Sequence, residues 1–339
     1  RGFQDIRQFH GQPQGMYGGD EALHGNNPTQ GSELCAAVEL MYSLEKMVEI
    51  TGDIDFADHL ERIAFNALPT QISDDFMTKQ YFQQPNQIMV TRHRRNFDQD
   101  HEGTDITFGT LTGYPCCFSN MHQGWPKFTQ HLWYATPDNG IAAFTYSPSE
   151  VTAKVGNNVS VVISEDTYYP MDNRISFTIK EVKNKTKQVE FPLHLRIPKW
   201  CKRAEIIVNG KAEQYIEGGR IAVINRIWKR NDNVELHLPM EVSTSTWYEN
   251  AVTIERGPLV YALKIKENWK KENLNNSWYG PHYYQVTSSE PWNYGLVDFD
   301  RSQVNKIAQV SIDSQKQQSI FPWNQENAPI EIKMKARLI

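Results

Sequence analysis

Residues 189–197 read VEFPLHLRI, and in this stretch apolar residues occupy every second position. A period of two places alternate side chains on one face, so the stretch predicts a β-strand with one buried face. The same alternation recurs in residues 159–163, 175–179 and 234–238. Short strands of this kind, separated by Asn-Gly, Gly-Gly and Asn-Asp turns, are typical of a β-sandwich.

The rest of the C-terminal region extends this pattern. Asn209-Gly210 predicts a hairpin turn, and residues 252–254 and 259–263 predict a further pair of strands. Residues 268–325 are rich in Trp, Asn, Gln and Ser and have weak periodicity, so we assign them only to exposed β-structure or loop. We therefore expect a β-sandwich region over residues 136–339, made of one or two sandwiches.

Upstream of this region the hydrophobic period is helical. From Ser32 to Ile50 apolar residues recur at steps of three and four, which predicts an amphipathic helix. Asp53 is a suitable N-cap for a second helix, whose apolar face runs to Leu68 and which we expect to end before Pro69. The two helices would form a helical hairpin.

A third helix is predicted to begin after Gly124, with Pro126 in its first turn. Its predicted buried face carries Phe128, Leu132 and Trp133. Residues 71–113, between the second and third helices, are polar and irregular. The expected fold class is therefore α+β multidomain, with a helical region over residues 1–135.

Composition limits the function classes. A chain of 339 residues with 39% hydrophobic content can bury a sizeable core, and its length suggests two or three domains. A net charge of -5 without long runs of like charge argues against a nucleic-acid-binding surface. No apolar stretch approaches the roughly 18–20 residues that cross a bilayer, so we expect no membrane span. The chain begins at Arg1 without a signal peptide, which suggests a processed protein or a piece of a longer one. These patterns leave the oligomeric state open.

The cysteines supply the candidate chemistry. Cys116 and Cys117 are adjacent, and Cys35 follows Glu33 by two positions. Adjacent cysteines form disulfides poorly, whereas three thiols and a carboxylate are ligands that tetrahedral zinc accepts. Zinc would lower the pKa of a thiol and leave a reactive thiolate. Two other interpretations remain open: buried thiols that pack as apolar groups, and a redox role for the vicinal pair. We expect this pair in a loop just before a helix.

Two loops could contribute polar groups. Residues 18–25 read GGDEALHG, a glycine-rich loop with two acids and a histidine. It lacks the lysine of a phosphate-binding loop, and such strings are common in turns. Residues 80–87 read QYFQQPNQ and mix aromatic rings with amides, which suits sugar rings and hydroxyl groups but also occurs in surface loops.

Four strings in the helical region stand out: GGDE (18–21), PTQGSELC (28–35), YPCC (114–117) and NMHQGWPK (120–127). They resemble glycoside hydrolase family 127, the β-L-arabinofuranosidase family, and related bacterial families that degrade plant glycans. The likeness is strong over residues 16–135 and only general beyond. It implies an (α/α)6 barrel followed by β-sandwich domains, with residues 1–135 as the C-terminal part of the barrel. It also implies a periplasmic or secreted bacterial protein.

By this resemblance the protein is a zinc-dependent retaining glycosidase with Cys116 as nucleophile and Glu21 as acid/base, Asp20 being the fallback acid. The zinc ligands it implies are Glu33, Cys35, Cys116 and Cys117. Bound zinc would keep the nucleophile deprotonated and later stabilise the departing thiolate. The expected substrate is a β-L-arabinofuranoside or a related unusual sugar of a plant oligosaccharide or glycan.

The candidate sugar contacts are His24, His122, Tyr81 and Gln84. An alternative function is a non-catalytic carbohydrate-binding protein in which zinc is structural. A vicinal-dithiol redox protein that works without metal is a third possibility.

Overall fold

The structure is a computed structural model that describes residues 2–339. It divides into two compact units. The first unit contains the residues up to Ser43, Arg62–Pro126 and Val242–Ile339, and the second contains Leu44–Glu61 and Lys127–Glu241. Both contain helical and strand residues, which confirms the expected α+β multidomain class. Within residues 2–339, no helix is both long and apolar enough to cross a membrane.

The helices of the described residues are α1 (Gly2–His10), α2 (Leu34–Thr51), α3 (Ile54–Arg62), α4 (Leu68–Thr70), α5 (Cys116–Gln130) and α6 (Val304–Ile307). A π-helical turn, Ile63–Ala67, joins α3 to α4. Single 3₁₀ turns cover Tyr248–Asn250, Arg301–Gln303 and Lys316–Gln318. The helix expected from residue 32 to residue 50 is confirmed as α2, two residues late at its start. Asp53 caps α3 as expected, because its Oδ1 accepts the N–H of Asp55 at 2.9 Å.

The strands up to residue 200 are β1 (Ser32–Glu33), β2 (Phe82–Gln83), β3 (Trp133–Ala135), β4 (Ile141–Ala143), β5 (Ser149–Val155), β6 (Val159–Thr167), β7 (Arg174–Lys183) and β8 (Gln188–Ile197). The next are β9 (Arg203–Val208), β10 (Lys211–Glu217), β11 (Arg220–Lys229), β12 (Asn233–His237), β13 (Val242–Thr246), β14 (Val252–Arg256) and β15 (Leu259–Tyr261). The last are β16 (Asn268–Asn276), β17 (Gly280–Thr287), β18 (Tyr294–Leu296), β19 (Gln309–Ile312), β20 (Ile330–Lys333) and β21 (Ala336–Leu338).

The second unit contains two sheets. One has six strands in the order β10-β9-β12-β7-β6-β5, and the other has four in the order β11-β8-β4-β3. The alternating runs predicted as strands are confirmed as β6, β7, β8 and β12, and their apolar rows are buried except for the half-buried Val159. Asn209 and Gly210 both have positive φ, 51° and 78°, so the predicted hairpin turn between β9 and β10 is confirmed.

A fully buried cation lies in the second unit. Arg196, at 0% exposure, donates to the carbonyl of Phe144 and pairs with Asp58 and with Glu61, the last at 2.5 Å. The Tyr169 hydroxyl donates to Glu61 at 2.7 Å. Burial opposes the charge of Arg196, but Glu61 and Asp58 outweigh it and raise the pKa of the guanidinium. We call Asp58, Glu61, Tyr169 and Arg196 the arginine network; it connects α3 to β8.

The prediction that the second helix ends before Pro69 is wrong, because the chain stays helical to Thr70. Proline lacks the N–H that an α-helix uses to bond the carbonyl four residues earlier. That carbonyl belongs to Phe65 and accepts the indole N–H of Trp323 at 2.8 Å instead. A tertiary hydrogen bond from Trp323 therefore satisfies the Phe65 carbonyl, and the local sequence around Pro69 does not predict this contact.

The predicted start of the third helix is also wrong. Helix α5 begins at Cys116, with the amides of Phe118 and Ser119 bonded to the carbonyl of Pro115, so Gly124 and Pro126 lie in its interior. Gly124 serves packing here, since a Cβ at this position would lie 2.9 Å from a methyl carbon of Leu68. The helix ends at Gln130, so two members of the predicted face lie outside it. These are Leu132, which is buried, and Trp133, which is half-buried and is the first residue of β3.

The C-terminal part of the first unit is made of small antiparallel sheets: β13-β14-β15, β16-β17, β18-β21 and β19-β20. Strands β14 and β15 confirm the strand pair predicted at residues 252–263. The π-helical turn contacts this pair through Asn66, whose side chain donates to the carbonyl of Pro258 at 3.0 Å and accepts the amide of Val260 at 2.7 Å. Residues 268–325, whose sequence predicts only exposed β-structure or loop, contain the long hairpin β16–β17.

Candidate active site and metal centre

Four residues from distant parts of the sequence form a compact group, which we call the thiol cluster: Glu33, Cys35, Cys116 and Cys117. Glu33 ends β1, Cys35 lies in the first turn of α2, and the two adjacent cysteines open α5. One ligand atom of each residue lies within 4.8 Å of the other three. The cluster lies entirely in the first unit.

The sulfur distances fit a shared ion better than a disulfide. Cys35 Sγ lies 3.1 Å from Cys116 Sγ and 3.3 Å from Cys117 Sγ, and the last two are 3.9 Å apart. A disulfide bond is about 2.05 Å long, and all three cysteines are free. Sulfurs on one tetrahedral zinc ion lie about 3.8 Å apart, since each Zn–S bond is about 2.3 Å. Glu33 Oε1, 3.5 Å from Cys116 Sγ, completes a set of four.

The change from strand to helix at residue 34 brings the first two ligands together. Glu33 pairs with Phe82 in the two-stranded sheet β1–β2, and the next amide, that of Leu34, donates to the carbonyl of Tyr81 at 3.0 Å. The chain then turns into α2, which carries Cys35. Glu33 and Cys35 are therefore held by β2 and by α2 respectively.

The start of α5 favours a thiolate at Cys116. The expectation that the vicinal pair lies in a loop before a helix is wrong, since both cysteines are in the first turn of α5. Free N–H groups and the helix dipole stabilise negative charge at a helix N-terminus. Hydrogen bonding by the thiol of Cys117 is the largest cause that lowers the pKa of Cys116, to about 5, and Cys35 and Glu33 add to it against the effect of burial. Cys116 is therefore ionised at neutral pH.

Burial has the opposite effect on two neighbours. It raises the pKa of the Cys117 thiol, so Cys116 is the member of the pair that ionises first. It also raises the pKa of Glu33 to about 7. Desolvated acids of this kind lose their burial penalty when a cation joins them. The donor set and its chemistry thus fit a divalent, thiophilic ion such as zinc.

A buried lysine lies beside the cluster. Lys79 is only 3% exposed, and its ammonium donates to the carbonyls of Thr112 and Tyr114, the latter at 3.0 Å. Burial lowers its pKa, while the charges of the cluster act to raise it, first Cys117 and then Cys116. Lys79 thus fixes the segment that leads into α5 and supplies positive charge next to the thiols.

Glu21 is held close to the cluster by a buried tyrosine. Tyr81, 2% exposed, donates its hydroxyl hydrogen bond to Glu21 Oε1. The Tyr81 ring packs on Gly113, where a Cβ would lie 2.1 Å from that of Tyr81 and where φ is +66°. Glu21 itself is exposed and has φ of 80°, a strained conformation for a residue with a side chain. Residues with strained backbone conformations are found often at functional sites, so the positive φ of Glu21 supports its assignment to the site.

The other residues of the glycine-rich loop pair among themselves. Asp20 is fully buried, and its Oδ2 accepts the amide of Asp98 at 3.0 Å. His24 Nε2 pairs with Asp20 and lies 3.3 Å from Asp98 Oδ2. Because Asp20 is engaged within this group, the geometry favours Glu21 over Asp20 as the acid that faces solvent.

Two further predicted contacts lie elsewhere on the first unit. The side-chain amide of Gln84 donates to the carbonyl of Thr29. His122 lies in the middle of α5 and is exposed. The structure thus brings Tyr81 to the thiol cluster, while His24, Gln84 and His122 remain predictions as sugar contacts.

Sequence reasoning missed two residues that the structure places here. Lys79 precedes the aromatic-amide string by one position, and an isolated lysine has no motif. His101 lies with its ring centroid 5.1 Å from that of Tyr81 and 5.9 Å from that of Tyr114, and its Nδ1 is 2.5 Å from the carboxylate of buried Asp105. In the sequence, a histidine four residues before an aspartate is too common a spacing to indicate a site. The folded loop shows that the two side chains pair.

Two regions of the chain match models of known protein families. Residues 15–130 match the family model described as "Beta-L-arabinofuranosidase, GH127 catalytic domain", and residues 140–240 match its "GH127 middle domain". The chain belongs to glycoside hydrolase family 127. The thiol cluster, Glu21, Lys79 and His101 all lie within the catalytic-domain match.

Similar proteins agree with this assignment. Over 283 residues the chain is 24% identical to a non-reducing end β-L-arabinofuranosidase of Bifidobacterium longum subsp. longum, a match that covers 80% of this chain and 38% of the relative. A family 127 β-L-arabinofuranosidase structure from Geobacillus stearothermophilus T6 has a TM-score of 0.65 at 20% identity, covering 99% of this chain and 52% of that one. A structure described as a glycoside hydrolase has a TM-score of 0.63 at 20% identity, covering 84% and 58%.

This family 127 chain therefore spans about two fifths of the length of the curated relative and little more than half of the two structures. At 20% identity the likeness to the structures concerns the fold.

Proposed function

We propose that this protein is a retaining glycoside hydrolase that acts on β-L-arabinofuranosides or a related unusual sugar of plant glycans. The observation that carries the proposal is the pairing of an ionised thiol, Cys116, with a solvent-facing acid, Glu21, in one site. Tyr81 links the two, since it bonds Glu21 and its pKa is raised by burial, by Glu21 and by the charge of the cluster. The family 127 catalytic-domain match supports the same reaction class.

The proposed reaction has two displacements. Cys116 sulfur attacks the anomeric carbon and forms a C–S bond while the glycosidic C–O bond breaks. Glu21 gives its proton to the leaving oxygen. In the second step Glu21 removes a proton from water, the water oxygen bonds the anomeric carbon, and the C–S bond breaks to return the Cys116 thiolate. The anomeric configuration is retained, with one carboxylate and one thiolate in place of the usual carboxylate pair.

Glu33, Cys35, Cys116 and Cys117 are the residues that would hold zinc. When bound, zinc supplies a positive charge that keeps thiols ionised at neutral pH. Three thiolates and one carboxylate carry four negative charges, so a divalent ion leaves two. Lys79 offsets part of that remainder from its buried position.

We also propose the finer architecture. The helices of residues 1–135 would form the C-terminal part of an (α/α)6 barrel, and residues 136–339 would form the β-sandwich region. The apolar rows on both sheets of the second unit support a sandwich, because Trp133 of one sheet contacts Phe177 of the other with ring centroids 5.6 Å apart.

Hydrolysis of p-nitrophenyl β-L-arabinofuranoside by the wild-type protein and Cys116→Ser tests the function. We expect turnover by the wild type and a loss of at least about 10³-fold in Cys116→Ser, since the nucleophile is removed. Cys201→Ser is the control, because Cys201 is a free cysteine of the second unit that lies outside the thiol cluster, although it is more buried than Cys116. Sugar binding with unchanged affinity in Cys116→Ser and no turnover by the wild type would instead favour a carbohydrate-binding protein with a structural metal.

A further inference from the structure

The hairpin β16–β17 is attached to the segment between α4 and α5, which also carries Lys79 and Tyr81. Strand β17 exchanges two pairs of backbone hydrogen bonds with that region: Phe108 with Tyr284, at 3.3 and 2.7 Å, and Val90 with Val286, at 2.8 and 2.9 Å. Phe108 and Trp269 also stack, with ring centroids 5.0 Å apart. The hairpin is therefore a fixed part of the first unit, held by the same segment that supplies Lys79 and Tyr81 to the candidate site.

The tip of the hairpin is held in one conformation. Asn276 Oδ1 accepts the amides of Trp278 at 2.7 Å and Tyr279 at 3.2 Å, which forms a side-chain-stabilised turn. The amide group of Asn276 also donates to the carboxylate of Glu102 at 3.2 Å. These bonds place the tip against residues 100–105, the loop that carries His101.

Aromatic side chains connect this tip to the candidate acid. The Tyr279 ring lies 6.1 Å from His101, and the His101 ring lies 5.1 Å from Tyr81, which bonds Glu21. Next to Tyr279, Trp278 is 77% exposed. Large exposed aromatic rings that adjoin polar groups mark binding surfaces, and a flat ring with polar neighbours matches the face and hydroxyl groups of a sugar.

We propose that Trp278 and Tyr279 bind the sugar on the leaving-group side of the cleaved bond, and this inference rests on the proposed hydrolase function. The side follows from Glu21, since the acid must contact the leaving oxygen. Tyr81 bonds Glu21, His101 contacts Tyr81, and Tyr279 contacts His101, so these contacts connect the acid to the hairpin tip. The occupant that we assign is therefore the second sugar ring of the glycan. His101, paired with Asp105, contacts both Tyr81 and Tyr279.

Two substrates distinguish an effect on this binding surface from an effect on the reaction centre. Methyl β-L-arabinofuranoside has a leaving group too small to reach the hairpin, whereas a β-L-arabinofuranosyl disaccharide has a sugar leaving group. We expect Trp278→Ala to raise KM for the disaccharide about fivefold to tenfold, as expected for one lost aromatic contact, and to change KM for the methyl glycoside less than about twofold. Trp278→Phe should restore most of the affinity. Trp292→Ala, at an exposed tryptophan of the same region, should change neither.

Equal effects of Trp278→Ala on the two substrates, or no effect on either, would overturn the inference. Calorimetric titration with the disaccharide provides a readout that needs no turnover. Binding that is weakened in Trp278→Ala, in a protein that cleaves neither substrate, would support the sugar surface and contradict the hydrolase. Disaccharide binding that is equal in the wild type and Trp278→Ala, or absent from both, would refute the surface whatever the outcome of the activity assay.

Discussion

The two units each contain a cluster of buried or half-buried ionisable side chains, and the clusters differ in how their charges are matched. In the arginine network the cation Arg196 is fully buried and surrounded by carboxylates and a hydroxyl group. In the thiol cluster only acids come together, Cys35 and Cys116 remain partly exposed, and the buried Lys79 brings positive charge nearby. One cluster has its countercharge within it, and the other has a surplus of acid groups.

That difference separates a structural role from a reactive one. A buried charge with a complete set of partners fixes two elements together and gains nothing from a ligand. A group of desolvated acids with access to solvent has perturbed pKa values, as at Cys116 and Glu33, and is suited to bind a cation or attack an electrophile. Perturbed pKa values in groups that solvent can reach are therefore the feature that distinguishes the candidate site.

The largest expected effect on the reactive cluster comes from Glu21. Glu21→Gln should lower kcat for p-nitrophenyl β-L-arabinofuranoside by about 10²–10⁴-fold, because proton transfer to and from oxygen is lost. With a 2,4-dinitrophenyl leaving group, which departs without a proton, the first step should stay fast and a burst should precede slow turnover. Glu326→Gln, at an exposed position of the same unit, is the control. An equal loss for both leaving groups without a burst would contradict the acid/base role.

The arginine network should show its effect in stability alone. Arg196→Met leaves the carboxylates of Glu61 and Asp58 buried without their cation, so we expect the free energy of unfolding to fall by about 3–5 kcal/mol. Urea denaturation measures the change, and kcat per folded molecule should be unchanged. Lys202→Met removes an exposed pair with Glu241 and should cost less than about 1 kcal/mol. Similar losses in both variants would show that Arg196 is not matched as described.

Substitution of Lys79 tests whether metal binding by the thiol cluster depends on nearby positive charge. Lys79→Met should weaken zinc retention by about 10–100-fold, the range found when groups that support metal ligands are removed. Competition against a chromogenic chelator measures this, with circular dichroism to verify the fold. Lys79→Arg keeps the charge and should retain more zinc than the methionine variant. Lys264→Met, at an exposed lysine, should match the wild type, and zinc retention equal to it in Lys79→Met would refute the role.

The smallest effect concerns a buried carboxylate of the second unit. Burial raises the pKa of Glu45 to about 8, although His131 Nδ1 lies 3.0 Å away. A folded-state pKa above the unfolded value of 4.5 means that the folded form binds the proton more tightly. Its stabilising contribution is full below about pH 4.5 and is lost as pH rises through about 8.

Melting temperatures between pH 5 and 8 should therefore decline less in Glu45→Gln than in the wild type. Glu49→Gln changes an exposed carboxylate of the same helix and should leave the wild-type slope unchanged. Parallel slopes in Glu45→Gln and the wild type would contradict the raised pKa.

Sequence patterns predicted those helices and strands in which apolar residues repeat at regular steps along the segment itself. The alternating apolar rows located β6, β7, β8 and β12, and the step of three and four located α2. The start of α5 and the end of the second helix were missed, because Gly124 and Pro69 are tolerated through contacts with Leu68 and Trp323. Hairpin β16–β17 was missed because its first strand, NWKKENLNN, is polar on both faces.

The candidate site divides in the same way. Residue types indicated the thiol cluster as a candidate zinc site, because three thiols and a carboxylate are ligands that zinc accepts. Packed thiols and a redox pair remained alternatives. Lys79 and His101 gain their meaning only from carbonyl and ring partners that are distant in sequence. No local pattern encodes those contacts.

Trapping the sugar on the protein tests the central claim most directly. Glu21→Gln incubated with 2,4-dinitrophenyl β-L-arabinofuranoside should accumulate the first-step product, because deglycosylation lacks its base. Proteolysis and mass spectrometry should then find one pentose residue on the peptide that contains Cys116, attached at that sulfur. A pentose on Glu33 or another side chain, or turnover by the wild type with inverted configuration and no adduct in Glu21→Gln, would contradict a cysteine nucleophile.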